Sequence, residues 1–342
     1  MHPRVFSLES LPQQPLVPDL SGCKKVLAPQ CEWVQPPCET VAMFALHERF
    51  WFGPAGWAYP DWKGRVYPLA RPQGFHPLRY LAGFMNLMEV NASFYAPVSA
   101  SAASQWLELV ADHPEFRFVI KGWQRFTHDP DALPASAALE QWVAGVQPLA
   151  DSGRLLAVLL QFPISVLDSP WVRQRLLALR AVLPASWTLA VEVRHQTWLR
   201  TDSLGFLEKH GFAFVNIDQP QGRGTLPPTA LRTHELGYVR LHGRNAAAWF
   251  DTGAGRDARY DWHYSQRELE EWVAPLRLLS AGGAPTVLVG NNHFHGKAVA
   301  AVLSLVHALA PQAALKVPEP LLHHFSELRS IHAPQQRGLF DP

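Results

Sequence analysis

A single (β/α)8 TIM barrel is the fold class the sequence predicts, and three observations predict it. Eight apolar runs with strand character recur from Arg49 onward. Nearly all of them end in a polar or charged residue, and the stretches between them place apolar residues at helical spacing. Sustained alternation of strand and helix is the pattern of parallel α/β architecture, and eight units close a barrel. The expected barrel covers residues 49–317, close to the usual length of roughly 250 residues with modest insertions.

In order, the strand-like segments are RFWFGPAGW, LMEVNASFY, FRFVIKGW, LLAVLLQFP, LAVEVRHQTW, FAFVNIDQP, GYVRLHGR and TVLVGNN. At or near their C-terminal ends stand Trp57, Glu89 with Asn91, Lys121, Gln161, Glu192 with Arg194, Asp218, Arg240 with His242, and Asn291. A Trp/Pro/Gly-rich loop, AYPDWKGRVYP, follows the first strand and leads to a helix around HPLRYLAGFMN. The next helix, near SAASQWLELVADH, carries Trp106, Leu109 and Val110 on one face and opens with serines able to cap it. Further helices are expected in ASAALEQWVAGVQPLAD, WVRQRLLALRAVL, DSLGFLEKHG (closed by Gly211), SQRELEEWVAPLRLLSAGG and KAVAAVLSLVHALA. The loop from Gly243 to about Tyr264 is long enough to be a lid or binding loop.

Two flanking segments lack this pattern. Residues 1–48 are rich in Pro and Gln and read as an irregular N-terminal extension. From Pro318 the chain turns Pro- and His-rich and reads as a C-terminal tail over 318–342. The formal charge of +1 gives no global argument for nucleic acid or membrane, although a local basic groove stays open. A 48% apolar, 17% charged composition is globular, and no apolar run approaches the ~20 residues of a membrane span. The N-terminus shows no apolar secretory core, and Cys23, Cys31 and Cys38 form no disulfide framework and match no common zinc spacing. The expected location is therefore the cytoplasm.

Taken together, GPAGWAYPDWKGRVYP, MEVNASFY, FRFVIKGWQRFTH, LLQFP, VEVRHQTW, DQP, YVRLHG and NNHFHGKA resemble, in this order and spacing, the DUF72 (YecE-like) family over about residues 50–312. The resemblance implies a TIM barrel and no established function. By analogy of fold alone it points to the metal-dependent xylose isomerase and endonuclease IV barrels. The family's usual Gly-Thr-Ser-Gly-Trp is here Gly53, Pro54, Ala55, Gly56 and Trp57, which removes two hydroxyls from the first strand. In the eighth strand, VLVGNN lacks the aromatic that usually precedes the two asparagines.

Barrels place function at strand C-termini, so the polar ring is the expected site. Side chains two apart on a strand share a face, which pairs Glu89 with Asn91, Glu192 with Arg194, Asn216 with Asp218, and Arg240 with His242. Three mechanisms stay open. In the first, Glu89 and Glu192, on strands across the ring, act as general acid and base, with Lys121, Arg194 and Arg240 clamping an anionic or phosphorylated substrate and Asp218 and His242 assisting. In the second, Glu89, Glu192, Asp218 and His242 hold a divalent manganese, magnesium or zinc, in competition with the cations around them. In the third, Lys121 forms a Schiff base, which needs a lowered pKa; the nearby carboxylates are expected to raise it. A purely structural alternative is a closed network of ion pairs among the same residues.

Secondary signals surround this ring. Gly296 and Lys297 open a helix just after strand eight, a place where barrels often bind phosphate, with Asn291 and Asn292 before them. His293 and His295 lie in that loop, and His128 and His195 sit in loops that the sequence does not orient. Trp57, Tyr59, Trp62, Phe94, Tyr95, Trp123 and Trp198 either stack on a sugar or base or pack the upper rim. At the chain end, Gln336, Leu339 and Phe340 resemble the peptide with which bacterial DNA-processing enzymes dock on the sliding clamp. The reading that results is a barrel enzyme performing acid/base hydrolysis or isomerisation on a polar, anionic or phosphorylated substrate. A clamp-recruited DNA-binding or nuclease-like protein and a non-catalytic ligand-binding barrel are the alternatives.

Overall fold

The computed structural model describes residues 48–129, 133, 136–313 and 315–332. Cys23, Cys31 and Cys38 of the expected extension, and Gln336, Leu339 and Phe340, lie outside the described residues.

Eight parallel strands form one sheet: β1 (Phe50–Pro54), β2 (Leu87–Val90), β3 (Arg117–Lys121), β4 (Leu155–Gln161), β5 (Leu189–Glu192), β6 (Phe212–Asp218), β7 (Gly237–Leu241) and β8 (Thr286–Gly290). The order runs β1-β8-β7-β6-β5-β4-β3-β2, so the sheet curls until β1 meets β2. At that seam the regular ladder gives way to a single bridge between Ala55 and Glu89. The Asn86 side chain fills the gap: its Oδ1 accepts from Phe52 N–H at 2.8 Å and its Nδ2 donates to Phe50 O at 3.0 Å. Gly53 is required there, since a Cβ on it would lie 2.0 Å from Leu87 O.

The strands are buried on both faces, which is why they read as continuous apolar runs rather than alternating ones. Between and after them come α1 (Pro77–Ala82), α2 (Ala92–Tyr95), α3 (Ala100–Leu109), α4 (Gln124–Thr127), α5 (Ser136–Asp151), α6 (Pro170–Val182) and α7 (Thr201–Lys209). The second half adds α8 (Ala246–Trp249), α9 (Arg256–Arg259), α10 (Gln266–Glu270), α11 (Val273–Leu279), α12 (Lys297–Leu309) and α13 (Glu319–His324). Local chemistry starts several of them. Ser99 and Ser169 accept from backbone N–H groups at the heads of α3 and α6, and Ser265 with Glu268 forms a reciprocal capping box on α10. No described helix is long and apolar enough to cross a membrane.

Part of the expected tail belongs to the barrel. Leu321 in α13, and Phe325, Leu328 and Ile331 after it, are buried in the hydrophobic core. Their spacing of three to four is helical, a period that the Pro- and His-rich composition hides.

Ladder register decides which side chains enter the barrel, because paired residues in a parallel sheet share a face. Glu89 pairs with Val119, Lys121 with Leu159, Gln161 with Glu192, and Arg240 with Val289. One continuous inner face therefore carries Ala55, Glu89, Lys121, Gln161, Glu192, Ile217 and Arg240. Asp218 pairs with Leu241 and so faces the helical layer.

Candidate functional site at the barrel mouth

Arg240 is the centre of the inner ring. From β7 it donates through Nε to Glu89 Oε2 at 2.9 Å and through Nη2 to Glu89 Oε1 at 2.5 Å, while Nη1 donates to Glu192 Oε2. Tyr238, two residues earlier on the same face, gives its hydroxyl to Glu89 Oε2 at 2.7 Å. Arg194 donates twice to Glu192 Oε1, at 3.0 and 2.9 Å. All of these groups are buried, with Glu89 and Glu192 at 0% exposure. Burial opposes ionisation of Glu192, but Arg240, His242 and Arg194 outweigh it and hold its pKa well below the usual carboxylate range. Burial likewise opposes the charge on Arg240, and Glu192 and Glu89 together raise its pKa nonetheless.

This geometry reverses the expected division of labour. Glu89 and Glu192 do not flank an open space, because a single guanidinium bridges them. With its oxygens saturated and its pKa depressed, Glu192 is a poor proton donor and a weak base. His242 is spoken for as well: Asn291 Nδ2 lies 2.9 Å from its Nδ1, and its Nε2 sits 3.1 Å from Glu192 Oε1, off the line of a hydrogen bond. Burial lowers its pKa to about 3, so the imidazole is neutral near pH 7.

Lys121 stands apart. It ends β3 on the same inner face, yet among the described residues its amine makes no hydrogen bond and no ion pair. Its contact is aromatic, with Nζ 4.2 Å from the Phe94 ring centroid. Burial and then Arg240 lower its pKa to about 7, against the pull of Glu192 and Glu89. The carboxylates do pull it up, as the sequence leads one to expect, but burial and Arg240 outweigh them. His128, in T-shaped contact with Phe94 at 5.0 Å, is pushed down to about 4 by burial and by Lys121.

Asp218 does not join the ring. Outside the barrel wall it accepts from Arg244 Nε and Nη2 at 2.9 and 2.6 Å, from Tyr264 Oη at 3.0 Å and from Trp272 Nε1 at 2.6 Å. It thus anchors both ends of the loop from Gly243 to Tyr264. The expected metal set of Glu89, Glu192, Asp218 and His242 consequently does not converge: one carboxylate points away and the other two are filled by guanidinium. Among the described residues no group of three or more His, Cys, Asp or Glu is placed to hold a metal ion.

The family model for "Protein of unknown function DUF72" matches residues 51–322. The chain belongs to the DUF72 family. A curated relative, UPF0759 protein YunF of Bacillus subtilis (strain 168), is 29% identical over 267 residues, which is 72% of this chain and 90% of that one. Among solved structures, a DUF72 family protein of Thermotoga maritima MSB8 is similar with a TM-score of 0.66 at 31% identity, covering 76% of this chain and 98% of that one. A DUF72 family protein of Enterococcus faecalis V583 shares the fold with a TM-score of 0.67 at 21% identity, over 79% of this chain and 98% of its own.

In this DUF72 chain the remaining predicted residues divide by position. Near the ring are Asn291, on His242, and Gln161, whose Nε2 donates to Phe162 O at 3.2 Å. Asn91 stands at the head of α2 with a buried Oδ1 that has no hydrogen-bond partner. Tyr95, 61% exposed, lies at the end of α2. Trp57, Tyr59 and Trp62 build the rim: Trp57 packs edge-on against Trp106 at 5.6 Å, Tyr59 stacks on His293 at 4.4 Å, and Trp62 Nε1 donates to His293 O. Trp198 is fully buried. Tyr59 also gives its hydroxyl to the backbone oxygen of Ala55, which ties the rim to the end of β1.

His195 caps a short turn, its Nδ1 accepting from Thr197 N–H, and Asn292 donates to Trp262 O. The anion position after β8 is filled by the protein's own carboxylates. Lys297 pairs with Asp261, and Asp61 Oδ2 accepts from the His295 N–H at 2.6 Å. A cavity of about 680 Å³ opens elsewhere, in the helical layer between His263, Leu269, Val273, Ser304, His307 and Ile331, and no ring residue lines it.

Sequence reasoning missed Tyr238, Arg244, Tyr264 and Trp272. The two-residue period on β7 could have found Tyr238, since it shares the face of Arg240. Arg244 and Trp272 carry no local signal, because their partner Asp218 is distant in sequence. From the same long loop, Trp249 lies with its ring 5.0 Å from the Arg194 guanidinium.

Proposed function

We propose that this DUF72 chain is an enzyme that moves protons on a small polar, anionic substrate at the barrel mouth, in a hydrolysis or an isomerisation. Lys121 is the group that takes and returns the proton. One observation carries this reading: of the three ring cations expected to clamp a ligand, Arg194 and Arg240 are ion-paired, and Lys121 has no ion pair among the described residues. With its pKa near 7, both forms of the amine are populated at neutral pH, the condition that favours general acid/base transfer. Glu89 and Glu192 act as fixed counter-charges for Arg240 and Arg194 instead of as the acid/base pair. Two carboxylates against two guanidiniums leave a protonated Lys121 uncompensated, so a bound anion restores the balance and proton uptake accompanies binding.

The test is NMR of sugar phosphates and 2-oxo acids in D2O with the protein added, which reads carbon–hydrogen exchange, isomer formation and hydrolysis together. One class is expected to react, and Lys121→Met to slow it by roughly 10²-fold or more. Undiminished turnover in Lys121→Met rules the assignment out. The closed network of Glu89, Arg240, Glu192 and Arg194 favours a second reading, a non-catalytic ligand-binding barrel. Thermal stabilisation by one of these compounds without any turnover would support it.

A further inference from the structure

We propose that Lys121 is a covalent site as well: its amine condenses with the carbonyl carbon of a small aldehyde, ketone or 2-oxo acid at the barrel mouth to form a Schiff base. This rests on the reading of Lys121 as the titrating group of the site, and it names the substrate class, a carbonyl compound that also carries an anionic group.

Position and confinement support it. Lys121 closes β3 on the inner face and is half-buried, while its neighbours Glu89, Glu192 and Arg240 are buried. The aromatic surface beneath it is held in place. Ser93 Oγ, in the same α2 turn as Phe94, is within hydrogen-bonding distance of both Val90 O (2.9 Å) and Lys121 O (2.6 Å), which ties α2 to the ends of β2 and β3. The two carboxylates able to pair with the ammonium are committed to Arg240 and Arg194. An amine in an apolar and cationic surround, kept from its counter-ions, is the arrangement that makes a lysine nucleophilic near neutral pH. A face-on aromatic contact favours the charged form; burial and Arg240 act against it and lower the pKa.

The step balances without an added oxidant or reductant. The nitrogen lone pair forms the N–C bond while the C=O π pair moves to oxygen, which takes a proton from nitrogen to give the carbinolamine. Loss of the second N–H proton and of hydroxide, together one water, leaves C=N. The proton passes from nitrogen to oxygen within the adduct or through solvent.

The experiment incubates the full chain with glyoxylate, pyruvate or glycolaldehyde phosphate at pH 7, reduces with sodium cyanoborohydride, and locates the secondary amine by intact mass and peptide mapping. A single adduct at Lys121 is expected, forming on the order of tenfold or more faster than at the exposed Lys63 and Lys209. Adducts spread over Lys63 and Lys209 with no preference for Lys121 overturn the proposal. Lys121→Arg removes the adduct if it folds. If it does not, competition on the wild-type protein decides, since acetic anhydride labelling reads the Lys121 titration directly. A midpoint near 7 with no reductive adduct removes the covalent step and leaves the acid/base reading intact. A midpoint near the ordinary lysine value removes both.

Discussion

Replacing Arg240 with Met tests whether the ring is held by charge. Met keeps an unbranched apolar stem but strips away the guanidinium that donates to Glu89 at 2.9 and 2.5 Å and also reaches Glu192. The two carboxylates do not suffer equally. Glu192 retains Arg194 and the nearby His242, whereas Glu89 retains the Tyr238 hydroxyl. The loss is therefore close to that of breaking one buried pair, roughly 3–5 kcal/mol. At roughly 2–4 °C per kcal/mol for a domain of this size, the melting temperature should fall by about 6–20 °C at pH 7. Differential scanning calorimetry measures it, with Arg240→Met/Glu89→Gln as the companion that removes the stranded charge and recovers part of the loss. Acidification should narrow the gap between variant and wild type from both sides. In the wild type the depressed Glu192 pKa contributes stability that is complete above the unfolded value near 4.3 and is lost as pH falls through the lower folded value. In the variant, protonation relieves the unpaired carboxylate. A melting temperature within about 2 °C of wild type at pH 7 would refute the ion-paired ring.

Three further outcomes are expected. Lys121→Met should be more stable than wild type at pH 6–7 and converge with it near pH 10, because the folded pKa of about 7 lies below the unfolded value and wild-type stability rises with pH between the two; thermal melts across that range check it, and a variant less stable at pH 6 contradicts it. Asp218→Ala strips the Tyr264 hydroxyl and Trp272 Nε1 of their acceptor and leaves Arg244 with Glu271 alone at hydrogen-bonding distance, so it should cost about 3 kcal/mol and speed amide hydrogen exchange across residues 243–264; unchanged exchange there removes the anchoring role. Deleting Gln336–Pro342 should abolish binding to a bacterial sliding clamp in surface plasmon resonance, and no binding by the full chain ends that reading.

All eight strands were legible because parallel strands buried on both faces read as uninterrupted apolar runs, and their polar ends stood out against that background. The same burial hid the phase. In FAFVNID every residue is buried, so nothing local says whether Ile217 or Asp218 looks inward; only pairing with Arg240 and Leu241 decides it. Which cation meets which carboxylate was likewise illegible. Arg240 reaches Glu89 and Glu192 from another strand, at a height set by the stagger of the sheet, and by doing so excludes Lys121. The lysine's lowered pKa follows first from its burial and then from Arg240, and no short window of sequence records either. The carboxylates at the turn after β8 were illegible for a similar reason, since Asp61 and Asp261 arrive from distant loops.

The seam between β1 and β2 bears on how the chain is made. β1 aligns Phe50 with Thr286 of β8, so its main ladder partner is made only after all the other strands. Until then the FWF segment has on its other side little more than the Asn86 side chain and one bridge through Ala55. A first strand that waits for its partner leaves an unpaired edge, and unpaired edges are what pair with the wrong neighbour. Barrel closure thus joins the first strand made to the last, and Glu89, whose bridge to Ala55 lies on that seam, is the carboxylate that Arg240 holds.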